Sequence, residues 1–192
     1  MLHGNNVKII TQDIKDLYYS LDPVLLATRL RNAIETNYTK IAHITKLSPS
    51  SIMELLILYL KSTVIHHNNA LQIQARGICI GSQLAPSIVD IYLNEFDLSL
   101  DAECKANPDI LHVYRYVDDI IKICTQKIPR EAVINSTKIF APELIFTNNQ
   151  DEITTEYLDL VPIQGQKGLC WIYGKSSPSK KRPLKNRETI SS

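Results

Sequence analysis

Two adjacent carboxylates, Asp118 and Asp119, sit between β-prone runs: His112-Val113-Tyr114-Arg115 before them and Ile120-Ile121-Lys122-Ile123-Cys124 after them. The flanks predict two short strands with Tyr116-Val117-Asp118-Asp119 at the tip of a hairpin. Neighbouring carboxylates repel, and fixing them in place costs free energy unless a cation or a solvent-exposed turn relieves the charge. Taken alone, the pair suits an ordinary polar turn as well as a cation site. What decides between the two lies elsewhere in the chain.

The chain has 192 residues, of which 44% are apolar, enough for one globular domain with a real core. Its longest strongly apolar run, residues 55–60, falls far short of the roughly 18 residues of a membrane span, so no membrane partner is expected. Residues 1–6 lack the charged and apolar regions of a signal peptide. The four cysteines show no C-x-x-C spacing and read as reduced thiols of an intracellular protein, with nucleus and cytoplasm equally open. The five histidines have no metal-ligand spacing, and His66-His67 reads as a helix end. Net charge is +1, but six bases and one acid lie at 175–192, leaving 15 bases against 19 acids before them. The body is thus not a general polyanion binder, whereas the basic tail suits either disorder or a nucleic-acid contact.

Val7-Lys8-Ile9-Ile10-Thr11-Gln12-Asp13-Ile14 predicts a strand ending near Asp13. Asp22-Pro23 predicts a helix start, with Leu26, Leu30, Ala33 and Ile34 on its buried face. A second helix is expected from Ser48-Pro49, with Ser51 and Glu54 at capping-box spacing and an apolar run over 52–65 that implies deep packing. Residues 77–86, Gly-Ile-Cys-Ile-Gly-Ser-Gln-Leu-Ala-Pro, read as a loop feeding a helix over 86–103. A weaker helix is expected over 130–140, then β-like stretches at 143–147, 156–161 and 169–173. The order β-α-α-α-β-β-α-β-β-β implies an α+β domain, helices on one face of a mainly antiparallel sheet.

Central antiparallel strands can bring Asp13 beside Asp118-Asp119. Carboxylates gathered in this way call for divalent cations, and Mg²⁺ favours one or two carboxylates completed by substrate phosphates. Two such ions activate a hydroxyl nucleophile and stabilise a leaving pyrophosphate. Gly77 and Gly81 lack side chains, which lets a backbone approach a base or sugar; a plain helix-leading turn is the alternative.

Asp13-Ile14-Lys15-Asp16-Leu17-Tyr18, then Gly77-x-x-x-Gly81-Ser82-x-Leu84-Ala85-Pro86, then Arg115-Tyr116-Val117-Asp118-Asp119, resemble in order the palm motifs of reverse transcriptases. They look most like those of Penelope-like retroelements, with G-x-x-M-G-S-P-L-S-P and R-Y-V-D-D. Ile145-Phe146-Thr147, Tyr157-Leu158-Asp159 and Trp171-Ile172-Tyr173-Gly174-Lys175 resemble that group's later stretches, so the likeness runs over about residues 7–176. A lone Y-x-D-D is weak; three ordered motifs, with an aromatic five residues after the first Asp, are specific.

The resemblance implies a polymerase palm over 1–174, a basic tail over 175–192, and fingers and thumb largely missing. It implies an RNA-directed DNA polymerase of a retrotransposon, a transposable element propagated by DNA integration, working on an RNA template, a DNA primer and dNTPs. Asp13, Asp118 and Asp119 would be catalytic and would hold two Mg²⁺ ions (Mn²⁺ being the substitute), with the Ile14 carbonyl as a further metal ligand. Tyr18 would lie under the incoming sugar and exclude a 2′-hydroxyl, or be a core tyrosine. Gly81 would face the base and template with Ser82 nearby, and Tyr116 the primer end. Arg115 would hold a strand phosphate or brace the hairpin. The chain departs from the pattern at Ile80, Gln83, Ala85 and Gly174. Those changes and the shortened flanks leave turnover by this chain alone open, and with it a catalytically inactive remnant that at most binds nucleic acid. RNA-dependent RNA polymerases usually carry G-D-D; Val117 and Tyr18 favour DNA synthesis.

Overall fold

The computed structural model describes residues 7–62, 64–67, 69–74, 76–148, 157–165 and 168–173. The basic tail lies outside the described residues. Strand β1 (Val7–Ile14) leads through the short helix α1 (Leu17–Ser20) to α2 (Pro23–Thr36), α3 (Tyr38–Thr45) and α4 (Pro49–Lys61). A hairpin of β2 (Val64–His67) and β3 (Ala70–Ile73) follows, then the long α5 (Ala85–Ala106). After β4 (Ile110–Tyr116) and β5 (Asp119–Thr125) come α6 (Arg130–Phe140), β6 (Phe146–Asn148) and a second hairpin, β7 (Leu160–Gly165) with β8 (Gly168–Tyr173). The main sheet has four strands in the order β4-β5-β1-β6. All its pairings are antiparallel.

Side chains alternate between faces along each strand, so register sorts this sheet into a helix face and a second face, where Asp13 and Asp119 stand at one end and Thr11, Ile121 and Ile123 are buried. Ile10, Gln12 and Ile14 of β1 lie opposite or beside Lys122, Ile120 and Phe146 on the helix face. There, Ile14, Ile120 and Phe146 join Leu26 and Leu30 of α2 and Ile88, Tyr92, Leu93 and Phe96 of α5 in one core. A smaller core joins Ile10, Ile110 and Cys124 to Val133 and Ile134 of α6. Two polar groups are built into the helix face and hydrogen-bonded within it. Gln12 accepts from Thr137 Oγ1 at 2.7 Å and donates to Asn148 Oδ1 at 3.0 Å. Lys122, wholly buried, donates to Glu103 Oε2 (2.7 Å), Ser136 Oγ (3.1 Å) and the Val133 carbonyl (3.3 Å). Those three acceptors use all three ammonium protons.

Local chemistry explains the helix starts. Asp22 accepts from the Val24 and Leu25 amides at 3.0 and 2.8 Å, and Pro23 fills the first turn. In α4 the capping hydroxyl belongs to Ser48, which accepts from Ser51 N at 3.1 Å, so the expected box of Ser51 and Glu54 gives way to a single serine cap a turn earlier. Nor is α4 deeply packed. Met53 is its sole buried residue, while Leu55 and Leu58 are exposed, because α2 is its main neighbour among the described elements. His66-His67 does not end a helix; both residues lie in β2, paired with β3. Sequence periodicity also leaves out α1, α3 and the two strands of the β2–β3 hairpin, each eight residues or shorter. Among the described residues no single helix is long and apolar enough to cross a membrane; α3 and α4 together pass on length and composition, bent by 79°.

Removing one partner of a buried ion pair strands the other charge. Glu103→Leu should therefore destabilise the fold by about 3–5 kcal/mol in urea unfolding, and pairing it with Lys122→Met should recover most of that loss.

Candidate active site

The pairing of β1 with β5 ends at Asp13↔Asp119, with the two residues directly opposed. Across β5, Tyr116 of β4 is the partner of Asp119; across β1, Thr147 of β6 is the partner of Asp13. Tyr116, Asp119, Asp13 and Thr147 therefore form one transverse row at the end of the second face of the sheet. Thr147 Oγ1 donates to Asp13 Oδ2 at 3.2 Å. Tyr116 is exposed, and Tyr114 and His112 continue an aromatic column down β4, their rings stacked at 6.0 Å.

Asp118 stands one residue before the row, in the turn. Its carbonyl accepts from the Ile14 amide at 2.9 Å, which ties the turn to the end of β1. Ile14 itself is fully buried. Val117, at the turn's apex, has φ 55°, a left-handed conformation that a β-branched residue adopts only under constraint. The constraint is visible. Arg115 Nη1 donates to the Val117 carbonyl at 2.8 Å, while Nε and Nη2 grip both oxygens of Asp97 on α5 at 2.7 and 2.6 Å. Of the two roles the sequence left open for Arg115, the structure gives it the brace.

Like charges directly opposed across an antiparallel pair are destabilising. Both carboxyl groups are raised above their ordinary value. For Asp13, burial is the first cause, opposed by the Thr147 hydrogen bond and reinforced by Asp118 and Asp16. For Asp119, burial again leads, and Asp118 and Asp13 add to it. A cation on this face would reverse that balance. Among the described residues no group of three or more His, Cys, Asp or Glu side chains is gathered closely enough to enclose a metal ion. The opposed pair thus offers an ion on this face at most two carboxylates, Asp13 and Asp119.

Tyr18, on α1, packs its ring against the larger core. Its carbonyl accepts from the Ile78 amide at 2.7 Å, so the glycine loop is pinned directly to it. Gly77 (φ +71°) is required by that contact. A Cβ there would collide with the Tyr18 carbonyl and come within 2.6 Å of Tyr19 Cα. Gly81 (φ +92°) differs, since nothing lies within 4 Å of where its Cβ would be. The loop thus turns one glycine inward and leaves the other facing open space. The Ser82 hydroxyl is occupied within the fold, accepting from Tyr59 OH on α4 and from the Leu84 amide at 3.2 Å.

The register brings Asp13, Asp119 and Tyr116 together, with Asp118 at their edge; Tyr18, Gly81 and Ser82 belong to the adjoining α1 and loop. Three participants carry no site assignment from sequence: Thr147, Asp97 and Tyr157. Burial, and then the charge of Asp119, push the Tyr157 hydroxyl up, while Arg115 opposes them. Thr147 and Tyr157 lie in stretches matched for resemblance alone; nothing local in sequence marks Asp97.

No family model matches the chain, and no curated protein matches it. Solved structures do. Telomerase from Candida albicans, in complex with the TWJ fragment of telomeric RNA, superposes with a TM-score of 0.65 at 17% identity, covering 90% of this chain and 32% of that one. Apo telomerase from Candida tropicalis, truncated from its C-terminal domain, gives 0.57 at 13% identity, covering 87% and 36%. The fold is similar to that of these telomerase chains. Telomerase is a reverse-transcriptase-related polymerase, so the coarse expectation of an α+β polymerase fold holds. This chain spans about a third of the length of the solved chains it matches.

Two outcomes follow from the geometry. A carboxyl whose folded pKa is raised favours folding below its unfolded value near 3.8 and loses that contribution as pH rises through the folded value. Asp119→Asn should therefore raise the melting temperature at pH 7 by a few degrees, an advantage that vanishes near pH 3, read by calorimetry at both values. Gly77→Ala combines a positive φ with a collision and should cost about 2–4 kcal/mol, whereas Gly81→Ala, strained but unobstructed, should cost about 1–2 kcal/mol in chemical denaturation.

Proposed function

We propose that this chain is the palm of an RNA-directed DNA polymerase of a Penelope-like retroelement, extending a DNA primer on an RNA template. The observation that carries the reading is the opposed pair Asp13 and Asp119 with Asp118 tied to the end of β1. The ordered motifs and the telomerase fold support it, and the RNA bound in the Candida albicans structure supports an RNA partner. The proposed reaction is attack of a primer 3′-hydroxyl on the α-phosphate of a dNTP, forming the new ester bond and releasing pyrophosphate.

Asp13 and Asp118 would hold two Mg²⁺ ions, with Asp119 and the Ile14 carbonyl completing the protein's share. Bound there, the metal supplies charge neutralisation at the nucleophile and the leaving group. The chain's own residues do the positioning. Thr147 fixes the rotamer of Asp13 through its hydrogen bond. The exposed Tyr116, beside Asp119 in the row, supports the primer end. Tyr18 lies under the sugar and excludes a 2′-hydroxyl, its position set by the inward glycine of the loop. Gly81 presents bare backbone to the base, and Ser82 keeps the loop on α4.

A second reading, an inactive remnant that binds nucleic acid, is favoured by the six bases at 175–187. Primer extension with Mg²⁺ separates the two. Extension with dNTPs, reduced at least about 100-fold by Asp13→Asn or Asp118→Asn, is the expected result. Tyr18→Ala should then admit ribonucleotides. No extension, even with fingers and thumb of a related enzyme fused on, would establish the remnant. In that case removing residues 175–192 should lower the salt slope of nucleic-acid binding by about 0.9 for each duplex phosphate that the tail neutralises.

A further inference from the structure

Arg115 has a side chain 10% exposed and three partners: both oxygens of Asp97 and the carbonyl of Val117. A fourth, longer contact reaches Asp90 at 3.5 Å. Asp97 and Asp90 belong to α5, a 22-residue helix whose buried face forms much of the main core. Val117 belongs to the carboxylate turn and holds φ 55°. Planar, bidentate Arg–carboxylate pairing is rigid, and the third hydrogen bond transmits that rigidity to a peptide group that would relax if released.

We infer that Arg115 is a positioning residue. Anchored on Asp97, it holds the Val117 carbonyl, and so keeps the strained turn folded with Asp118 against Ile14 and Asp119 opposite Asp13. The inference rests on the proposed polymerase function for its purpose, but its mechanical content stands on these hydrogen bonds. The strain is what makes the clamp necessary. A glycine at position 117 would adopt the same φ without cost, whereas valine needs an external hold. Lysine cannot replace the clamp, because a single ammonium lacks the fork that spans Asp97 and Val117 together.

The test combines residue-resolved amide exchange with Mn²⁺ titration followed by electron paramagnetic resonance, on the whole chain. In Arg115→Lys, the Ile14 and Asp119 amides should exchange about tenfold faster, the worth of one charge-assisted hydrogen bond, while Ile10 and Ile121 keep their protection. Mn²⁺ binding should weaken by a similar factor. Adding Val117→Gly to Arg115→Lys should restore both, which no loss of general packing would do. Uniform acceleration across β1 and β5, or failure of the glycine to rescue, overturns the inference. Should Arg115→Lys not fold, Asp97→Asn decides by the same exchange pattern. If the parent chain binds no Mn²⁺ yet the exchange pattern and its rescue appear, the clamp stands and the polymerase reading fails.

Discussion

The pairing of β1 with β5 places one carboxylate directly opposite another, and much of the rest of the molecule holds that unfavourable register. A slip of one residue would turn every side chain of β1 to the other face. It would bury Asp13 and expose Ile10 and Ile14, both now fully buried. The helix face resists this through apolar packing and two polar fixtures. Gln12 is locked between Thr137 of α6 and Asn148 of β6, and Lys122 between Glu103 of α5 and Ser136 of α6. Burying a lysine contributes little net stability by itself. Its geometric effect is larger, because a one-residue shift of β5 would turn the ammonium to the other face and leave the carboxylate of Glu103 without it. Repulsion on one face is thus tolerated because the other face admits a single alignment.

The second dependency runs through the glycine loop. Ile78 donates to the Tyr18 carbonyl, Gly77 leaves room for the Tyr18-Tyr19 backbone, and Ser82 meets Tyr59 of α4. Because α1 follows β1 by only two residues, these contacts also tie the loop to the end of the strand that carries Asp13. Loop, α1 and carboxylate row are consequently positioned by one set of backbone contacts. A substitution at Gly77 would be felt at Tyr18 before it reached any ligand.

Much of the fold is legible in the sequence where a local rule is strong. The Asp22-Pro23 cap, the hairpin around Asp118-Asp119 and the helix Arg130–Phe140 announce themselves through capping chemistry, turn residues and periodicity. The apolar run of α4 misleads, since composition reports what a helix can bury and not what neighbours it receives; Leu55 and Leu58 stay exposed. Helix α1, four residues long, is too short to show a period. In the candidate site, the three aspartates are visible as motifs, but their partners are not. Thr147 meets Asp13 across 134 positions of chain, and Asp97 meets Arg115 from the polar side of a helix whose pattern records only its buried face. Long-range hydrogen bonds of this kind leave no periodic trace.

Backbone strain points to the same region without reference to any motif. Five described residues other than glycine have positive φ: Asp16, Lys46, Asn69, Val117 and Leu158. Two have ordinary structural reasons, since Lys46 ends α3 in a left-handed cap and Asn69 turns the β2–β3 hairpin. Two of the remaining three flank the carboxylates in sequence: Asp16 lies between β1 and α1, and Val117 is the apex of the turn, while Leu158 precedes β7. Both positive-φ glycines, Gly77 and Gly81, are in the loop bound to Tyr18. Strained backbone persists only where surrounding contacts over-determine it, and such residues gather where a ligand must be met by preset groups. Opposed charges, a β-branched residue in a left-handed turn and an arginine committed to holding it share one end of one sheet. A chain selected for stability alone would have discarded each of them, which is the strongest physical reason to regard this end of the sheet as the working part of the molecule.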